Sequence, residues 1–355
     1  MPLHRRHMLG LLGGLPFVAM PGVLRAAGRR ITDSAGRPVA VPDHVTKIFP
    51  AGPPASIFLY MMAPDLLAGW SRALRGKERA GIAEKYHRLP EIGRLTGRGG
   101  SANLETVMVM KPDLILDYGS VKPTYISLAD RVQAQTGIPY ALIDGRFDNI
   151  AKSFLTLGDL IGRPERGRAC AAKAQAIIDD LAAARAAIPT ADRPRVYYGR
   201  GADGLQTGGK GSINVELLGH AGAVNVADQA GEGGLTKVSL EQILGWNPDV
   251  VLTTDPNFFD LVWTHDVWKT LPAVKAGRVY LSPTMPWGWF DRPPSANRLI
   301  GLHWLLAVLY PERFLQGLAD RARDFYAFFY HLDLDADRLA MILGPGSHPG
   351  NPRKP

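Results

Sequence analysis

The sequence predicts an α/β protein of two similar lobes, each a mainly parallel sheet flanked by helices. One long rigid helix joins the lobes, and a ligand cleft lies between them. The main observation is a phrase that occurs twice: residues 103–119 read NLETVMVMKPDLILDYG, and residues 239–255, 136 positions later, read SLEQILGWNPDVVLTTD. Each copy is typical of a short amphipathic helix, a Pro-Asp break and a strand that is apolar at nearly every position. Such a strand is buried on both faces, as in a parallel sheet covered by helices.

Size and composition support a folded protein of two domains. The chain has 355 residues, 46% of them hydrophobic, and a formal net charge of +8. The positive charges are scattered beyond the N-terminus, which favours an anionic ligand over nucleic acid, with a merely basic surface as the alternative. The single cysteine, Cys170, forms no intrachain disulfide and is expected to be a small buried residue.

The N-terminus predicts an export signal peptide over residues 1–27. Arg5 and Arg6 precede an apolar run at 9–20, and Ala26-Ala27 offers small residues for cleavage. The arginine pair fits a twin-arginine signal, and an ordinary secretory signal is the alternative. We therefore expect the mature protein in a bacterial periplasm.

The remaining chain divides by its pattern of strands and helices. Residues 165–187 form an alanine-rich run that begins after one proline and ends before another, which predicts a helix of about 35 Å. A helix of that length spans a domain, so we interpret it as a rigid brace. The predicted units are an N-terminal lobe (28–147), a helical connection (148–193), a C-terminal lobe with closing helices (194–342) and a disordered tail (343–355).

Several motifs resemble catalytic or nucleotide-binding signatures without their context. Residues 199–204 (GRGADG) match G-x-G-x-x-G, yet no helix pattern opens at the third glycine, as a dinucleotide site requires. The histidines show no metal-binding spacing, and no nucleophile motif occurs. We expect no catalysis, no metal site and no cofactor.

The doubled phrase resembles the substrate-binding proteins of bacterial ABC importers for iron–siderophore, haem and cobalamin, of the helical-backbone class III type. Further segments agree in order: 89–93 (LPEIG), 214–226 (NVELLGHAGAVNV) and 266–280 (DVWKTLPAVKAGRVY). The resemblance covers about residues 30–330. It implies two lobes on one long helix with ligand between them.

The resemblance also implies a docking role for one glutamate on each lobe. In the family, such glutamates meet arginines of the membrane permease, and the matching residues are Glu105 and Glu241. Two acidic points at a fixed separation set orientation as well as attraction. The alternative is that each carboxylate only stabilises the first turn of its helix.

Ligand residues are expected where strands end, because ligands of such lobes meet the carboxyl ends of parallel strands. Arginine grips anionic oxygens there, and aromatic rings form apolar walls. The alternatives are solvated loop charges for the arginines and packing under the C-terminal helices for the aromatics. The candidate residues are Tyr118, Arg146, Arg200, Trp263, Trp287, Trp289 and Phe290.

Together these observations predict a periplasmic binding protein, not an enzyme. It captures a small-molecule metal chelate, a ferric siderophore first and haem or cobalamin otherwise, and delivers it to an ABC permease dimer in the inner membrane. We expect a monomer that binds no nucleic acid. The alternatives are an enzyme of the same two-lobe architecture, such as a metal chelatase, and an exported scavenger without a transporter.

Overall fold

The computed structural model describes residues 28–97 and 102–344. The predicted export signal and the predicted tail beyond Gly344 lie outside the described residues. The last helix ends at Leu343, so the first residue assigned to the tail is helical.

The first half of the chain carries strands that alternate with helices. Its strands are β1 (Arg29–Thr32), β2 (Pro38–Val41), β3 (Ile48–Pro50), β4 (Leu114–Gly119) and β5 (Tyr140–Asp144). Its helices are α1 (Pro53–Met62), α2 (Leu104–Met110), α3 (Pro123–Thr136), α4 (Ile150–Leu160) and the long α5 (Pro164–Ala186).

The second half repeats the alternation and adds closing helices. Its strands are β6 (Arg195–Gly199), β7 (Gln206–Gly208), β8 (Val224–Asn225), β9 (Leu235–Lys237), β10 (Val250–Thr253) and β11 (Val279–Leu281). Its helices are α6 (Glu216–His220), α7 (Leu240–Trp246), α8 (Pro256–Leu261), α9 (Pro272–Lys275), α10 (Arg298–Leu309), α11 (Pro311–Phe314), α12 (Leu318–Phe325) and α13 (Ala336–Leu343), with a π-helical turn at Tyr326–Tyr330.

Each half has its own parallel sheet, so the fold is the predicted two-domain α/β arrangement. The first sheet has the order β3-β4-β5 and the second β11-β10-β6-β8. Within both sheets all pairings are parallel. Two small antiparallel ribbons, β1-β2 and β7-β9, lie outside these sheets. Parallel strands place all their carboxyl ends at one edge, which is where ligand-binding loops collect.

The duplicated phrase forms the same local structure twice. Helix α2 begins where the Asn103 side chain accepts a hydrogen bond from a backbone N–H, and α7 begins in the same way at Ser239. The residues that cap the C-terminal ends of the two helices, Lys111 and Asn247, both lie in the left-handed region, with φ of 48° and 45°. The register of 136 positions is thus kept at both ends of each helix.

The Pro-Asp break has a structural role that the repeat explains. The Asp113 carboxylate accepts hydrogen bonds from the backbone N–H groups of Thr46 (2.7 Å) and Lys47 (2.9 Å), just before β3. The Asp249 carboxylate accepts one from the N–H of Arg195, at the start of β6, at 2.8 Å. Each aspartate therefore joins its own strand to the start of the neighbouring strand.

The long helix α5 contacts elements of both halves. It has 23 residues, about 35 Å at 1.5 Å per residue, and packs on α1 and α4 as well as on α6 and α10. Its close approach to α4 depends on two glycines, because a Cβ on Gly158 would lie 2.9 Å from the Cα of Gly167. Cys170 lies on the buried face of α5, where burial raises the pKa of its thiol to about 11.

The glycine-rich segment after β6 is a turn, in agreement with the rejection of a dinucleotide site. The chain reverses so that Arg200 pairs with Gln206 at the start of β7. Gly204 has a φ of 71°, and a Cβ there would lie 2.2 Å from the Phe258 ring. The segment therefore requires glycine for a positive φ and for close packing.

Candidate ligand site at the junction of the two halves

Arg200 lies directly after β6 and is oriented by a buried carboxylate. Asp291 is fully buried and accepts hydrogen bonds from the Tyr198 hydroxyl and the Asn214 amide, both at 2.9 Å. The Arg200 Nε lies 2.9 Å from the same carboxylate, and the Arg200 side chain is 15% exposed. The Arg200 Nη1 donates to Gln206 Oε1 at 3.2 Å. Within the described residues no hydrogen bond engages Nη2, so this nitrogen remains for a ligand anion.

A second arginine follows Asp291 and lies at the strand ends of the second sheet. Arg292 has a φ of 64°, an uncommon conformation for a residue other than glycine, which costs of the order of 1 kcal/mol. Its Nη1 donates at 3.0 Å to the carboxylate of Asp255, the residue that follows β10 and Thr254. The Arg292 side chain is 46% exposed. The pair with Asp255 holds this exposed guanidinium, one residue after the carboxylate that orients Arg200.

Arg146 belongs to the loop after β5, and the second half fixes its two neighbours. The Phe147 N–H donates to Glu216 Oε1 at 2.8 Å, and the Gly145 carbonyl accepts from the Arg298 guanidinium. Glu216 and Arg298 also pair with each other, and Arg298 is fully buried. Arg146 itself is exposed, and its side chain makes no ion pair within residues 28–97 and 102–344. A fixed backbone therefore presents an unpaired cation.

The loops after β4 and β5 approach each other more closely than side chains allow. The Gly145 N–H donates to the Gly119 carbonyl at 2.7 Å, and a Cβ on Gly145 would lie 2.7 Å from the Gly119 Cα. Tyr118 lies beneath them, 1% exposed, with its ring stacked on Phe58 at 4.1 Å. Burial raises the pKa of the Tyr118 phenol. Tyr118 supports the loops from below, and its predicted exposure to ligand is not present in this structure.

A network of hydrogen bonds and one short backbone segment links the loops of the two arginines proposed from sequence. From Phe147 beside Arg146, it passes to Glu216, then along a short segment to Asn214. Asn214 donates to Asp291, which orients Arg200. The structure therefore brings the loops of Arg146 and Arg200 into one assembly that spans both halves.

The aromatic segment after β11 is packed in the core instead of lining an open wall. Trp287 is 6% exposed, and its ring lies 5.2 Å from that of Trp70 and 5.9 Å from that of Tyr60, both in the first half. A Cβ on Gly81 would lie 2.5 Å from the Pro286 ring. This segment crosses to the first half, so apolar surfaces of both halves cover Trp287.

The next two aromatics are buried as well. The Trp289 indole N–H donates to the Tyr326 hydroxyl at 3.1 Å, and Phe290 meets the Tyr198 ring edge-on at 4.7 Å. Trp289 is fully buried and Phe290 is 1% exposed. Both residues therefore pack under the C-terminal helices, which is the alternative considered from the sequence.

Trp263 lies after α8 and is half-buried. Its ring meets that of Phe259 edge-on at 6.1 Å, and its indole nitrogen is buried without a hydrogen-bond partner among the described residues. Within the described ranges, no hydrogen bond or ring contact connects Trp263 to the network of Arg200 and Arg146. Its ligand role stays a prediction.

The two predicted docking glutamates occupy equivalent exposed positions. Glu105 and Glu241 lie in the first turns of α2 and α7, where acidic side chains complement the helix dipole. A hydrogen bond from Ser239 lowers the pKa of the Glu241 carboxyl. The helix-dipole alternative and the docking role are both compatible with this placement, so docking stays a prediction.

Sequence reasoning missed Glu216, Arg298 and the supporting role of Asp291. Arg298 is the charged residue that opens α10 (RLIGLHWLLAVL), an otherwise largely apolar helix. A charge in such a helix needs a partner, because an unpaired buried charge is costly. That pattern is the signal that could have identified a buried ion pair, although it does not name Glu216.

Two further structural findings bear on the chemistry. The described ranges contain no group of three or more His, Cys, Asp or Glu side chains arranged to hold a metal ion. None of the helices in the described part of the chain combines the length and apolar character needed to cross a lipid bilayer.

Two parallel α/β halves, joined where Glu216 and Arg298 hold the loop after β5, carry arginines at their strand ends, an arrangement typical of two-lobe solute-binding proteins. The family model described as periplasmic binding protein matches residues 80–285, and the chain belongs to this family. It has the class III architecture of substrate-binding proteins of ABC importers, which bind small ligands outside the cytoplasm and work with a permease and an ATPase.

Individual relatives agree over most of the chain. An ABC transporter solute binding protein from Sulfurospirillum deleyianum is 31% identical with a TM-score of 0.80, covering 88% of this chain and 98% of that one. The molybdate-binding protein MolA of Haemophilus influenzae is 27% identical over 93% of this chain and 97% of its own, and its molybdate-bound structure has a TM-score of 0.71. The Fe(3+)-citrate-binding protein YfmC of Bacillus subtilis is 27% identical over 55% of this chain and 61% of its own.

Proposed function

We propose that this protein captures a small anion at the junction of its two halves and delivers it to an ABC permease in the inner membrane. The supporting observation is the oriented Arg200, whose Nε meets a fully buried carboxylate. Arg146 and Arg292 add exposed guanidinium groups: Glu216 holds the residue that follows Arg146, and Arg292 is paired with Asp255. Oxyanions are the ligands that such guanidinium groups grip in bidentate fashion.

The prediction of a ferric siderophore depended partly on aromatic walls. Trp287, Trp289 and Phe290 are buried, so they offer no broad apolar surface to a bulky chelate. A compact oxyanion needs only charge and hydrogen bonds, and the similarity to a molybdate-binding protein extends over nearly the whole chain. We therefore propose a molybdate-like oxyanion as the first ligand class and ferric citrate, an anionic chelate, as the second.

The ligand class is tested by calorimetric titration of the mature protein with molybdate, sulfate, phosphate and ferric citrate. We expect molybdate to bind, and Arg200→Met to weaken binding about 10- to 100-fold, as loss of a charge-assisted pair implies. Arg168→Met is the matched control, because Arg168 is an exposed arginine whose one ion-pair partner in the described part of the chain is Glu165, also on α5. Binding of ferric citrate but no oxyanion would select the second class, and binding of neither would refute the anion proposal.

We propose binding without catalysis, and action as a monomer outside the cytoplasm after twin-arginine or ordinary secretory export. A chelatase would change its ligand, whereas a binding protein returns it unaltered. Mass spectrometry of the released ligand and of the mature N-terminus, with light scattering for the mass, checks these points. Altered ligand, a dimer or an unprocessed N-terminus would each contradict the corresponding statement.

Delivery requires a permease, and we propose that Glu105 and Glu241 dock onto it. Their support is their equivalent exposed placement on the two repeat helices. Uptake measured with Glu105→Ala and Glu241→Ala together should fall while ligand affinity is unchanged. Unchanged uptake would favour the alternative of an exported scavenger without a transporter.

A further inference from the structure

The two repeat helices expose large apolar side chains at equivalent positions. Met108 on α2 is 46% exposed, and Leu244 on α7, 136 positions later, is 39% exposed. Each lies three residues after its glutamate, so acid and apolar side chain are neighbours on one face of their helix. Val109, also on α2, is 73% exposed.

Packing within the protein does not account for these side chains. The inward position of each helix is occupied by a fully buried neighbour, Val107 in α2 and Ile243 in α7. A single exposed apolar residue is ordinary on a protein surface. Here the exposure recurs at the same position of both copies, each time beside an exposed glutamate. An exposed glutamate beside an exposed apolar side chain, present twice, is typical of a surface that contacts another protein.

We propose that Met108 and Leu244 are apolar anchors for the membrane permease, each inserting into a depression beside the basic group that meets the adjacent glutamate. The inference rests on the docking role proposed for Glu105 and Glu241. The occupant must present the complementary surface twice, because the binding protein presents the same pair twice. That requirement is met by a permease with two equivalent subunits, each offering a cation next to an apolar depression.

The acid and the apolar member of each pair contribute to different rates. Charges at an interface steer the encounter and mainly change the association rate in a salt-dependent way. Buried apolar anchors act after the encounter and mainly change the dissociation rate. The proposal therefore predicts two separable kinetic effects from residues one helical turn apart.

The test measures docking of the binding protein onto its own permease–ATPase complex in nanodiscs, by surface-based kinetics with and without sodium molybdate. We expect Met108→Ser and Leu244→Ser each to raise the dissociation rate about fivefold or more, with association within about twofold, as is typical of anchor truncation. Thermal unfolding and molybdate affinity should match the unsubstituted protein, since both side chains are part-exposed.

Two other exposed apolar residues provide matched controls. Leu155 on α4 and Met341 on α13 are 42% and 43% exposed and lie outside the repeat. Leu155→Ser and Met341→Ser should leave both rates unchanged. If the anchor variants behave like these controls, the anchor proposal is refuted.

The glutamate variants separate this proposal from the one on which it rests. Glu105→Gln and Glu241→Gln should slow association and reduce its salt dependence. If they have no effect while the serine variants still speed dissociation, the anchors stand and docking by the carboxylates is refuted. If neither set changes either rate, the docking surface lies elsewhere and both proposals are wrong.

Discussion

In the first half, β4 ends at Tyr118 and Gly119. The Tyr118 ring is buried, and Gly119 lies in close contact with the Gly145 backbone. In the second half, the equivalent positions after β10 are Thr254 and Asp255, whose polar groups meet Tyr198 and Arg292. At the opposite end of the same strands the two halves have the same structure, because the aspartate of each Pro-Asp break bonds to the start of the neighbouring strand. The repeated end thus organises the scaffold, and the divergent end carries the polar groups of the candidate ligand site.

The junction between the halves should be the most sensitive point of this arrangement. Arg298 is fully buried and pairs with Glu216. Arg298→Met leaves the Glu216 carboxylate with the Phe147 N–H as a partner but without a neighbouring cation. Breaking one side of a buried pair costs about 3–5 kcal/mol. We expect a loss of that size in the free energy of unfolding, measured with urea.

The exposed ion pair of Arg163 with Asp65 is the matched control. Its side chains are 37% and 54% exposed, so Arg163→Met should cost about 1 kcal/mol or less. The double variant Arg298→Met with Glu216→Gln should recover part of the loss, because no charge then remains unpaired. Equal costs for the two arginines would show that the junction is no more tightly coupled than the surface.

A buried acid distinguishes the first sheet from the second. Asp117 in β4 corresponds to Thr253 in β10, and burial raises the pKa of Asp117 to about 6, with the Tyr140 and Thr96 hydroxyls partly countering the rise. The unfolded pKa is about 3.9. The folded state therefore binds the proton more tightly, and stability falls as pH rises from about 4 to about 6.

The Asp117 effect is measured by urea unfolding at pH 4.5 and pH 7.5. The difference of about two units between the folded and unfolded pKa values corresponds to at most about 3 kcal/mol of pH-dependent stability. Asp117→Asn should abolish this pH dependence. Thr253→Asn is the control in the second half, where no proton is gained or lost. A pH dependence that persists in the Asp117 variant would assign it to other groups.

The sequence predicted the fold because the fold depends on local patterns. Strand hydrophobicity, the Pro-Asp break and the proline before α5 are all visible in consecutive residues. The candidate ligand site depends on contacts between distant residues: Glu216 reaches Phe147, and Arg298 reaches Gly145, 153 positions away. The strand-end rule selected Arg146 and Arg200, whose ligand role stays a prediction. It also selected Trp289, which is buried, because the rule does not tell which loops fold back into the core.

The two halves should contribute unequally to ligand affinity. Arg200 is oriented by Asp291, whereas Arg146 is exposed and has no ion-pair partner in the described residues. A pre-oriented guanidinium loses less side-chain entropy on binding. In calorimetric titration with molybdate, Arg146→Met should weaken binding about threefold to tenfold, less than Arg200→Met, with both losses reduced by added salt.

Asp291→Asn tests whether Asp291 causes the larger contribution of Arg200 to ligand affinity. The variant keeps the shape of the buried group but removes the charge that meets Arg200, so the effect of Arg200→Met should shrink in its presence. Arg146→Met should keep its full effect in the same background. Additive losses for Asp291 and Arg200 would mean that the carboxylate does not act through the arginine.

The smallest expected effect concerns the caps of the repeat helices, where the halves should behave alike. Asn103 and Ser239 each accept a hydrogen bond from the backbone N–H three residues later, at 2.7 Å and 3.3 Å. Removing such a cap costs about 1 kcal/mol, so Asn103→Ala and Ser239→Ala should lower the urea midpoint by similar amounts. Because the caps lie at the repeated ends and away from the junction, molybdate affinity should stay constant in both variants. A change in affinity from either cap would show that the helix position is transmitted to the strand ends, and that the scaffold and the ligand site are not independent.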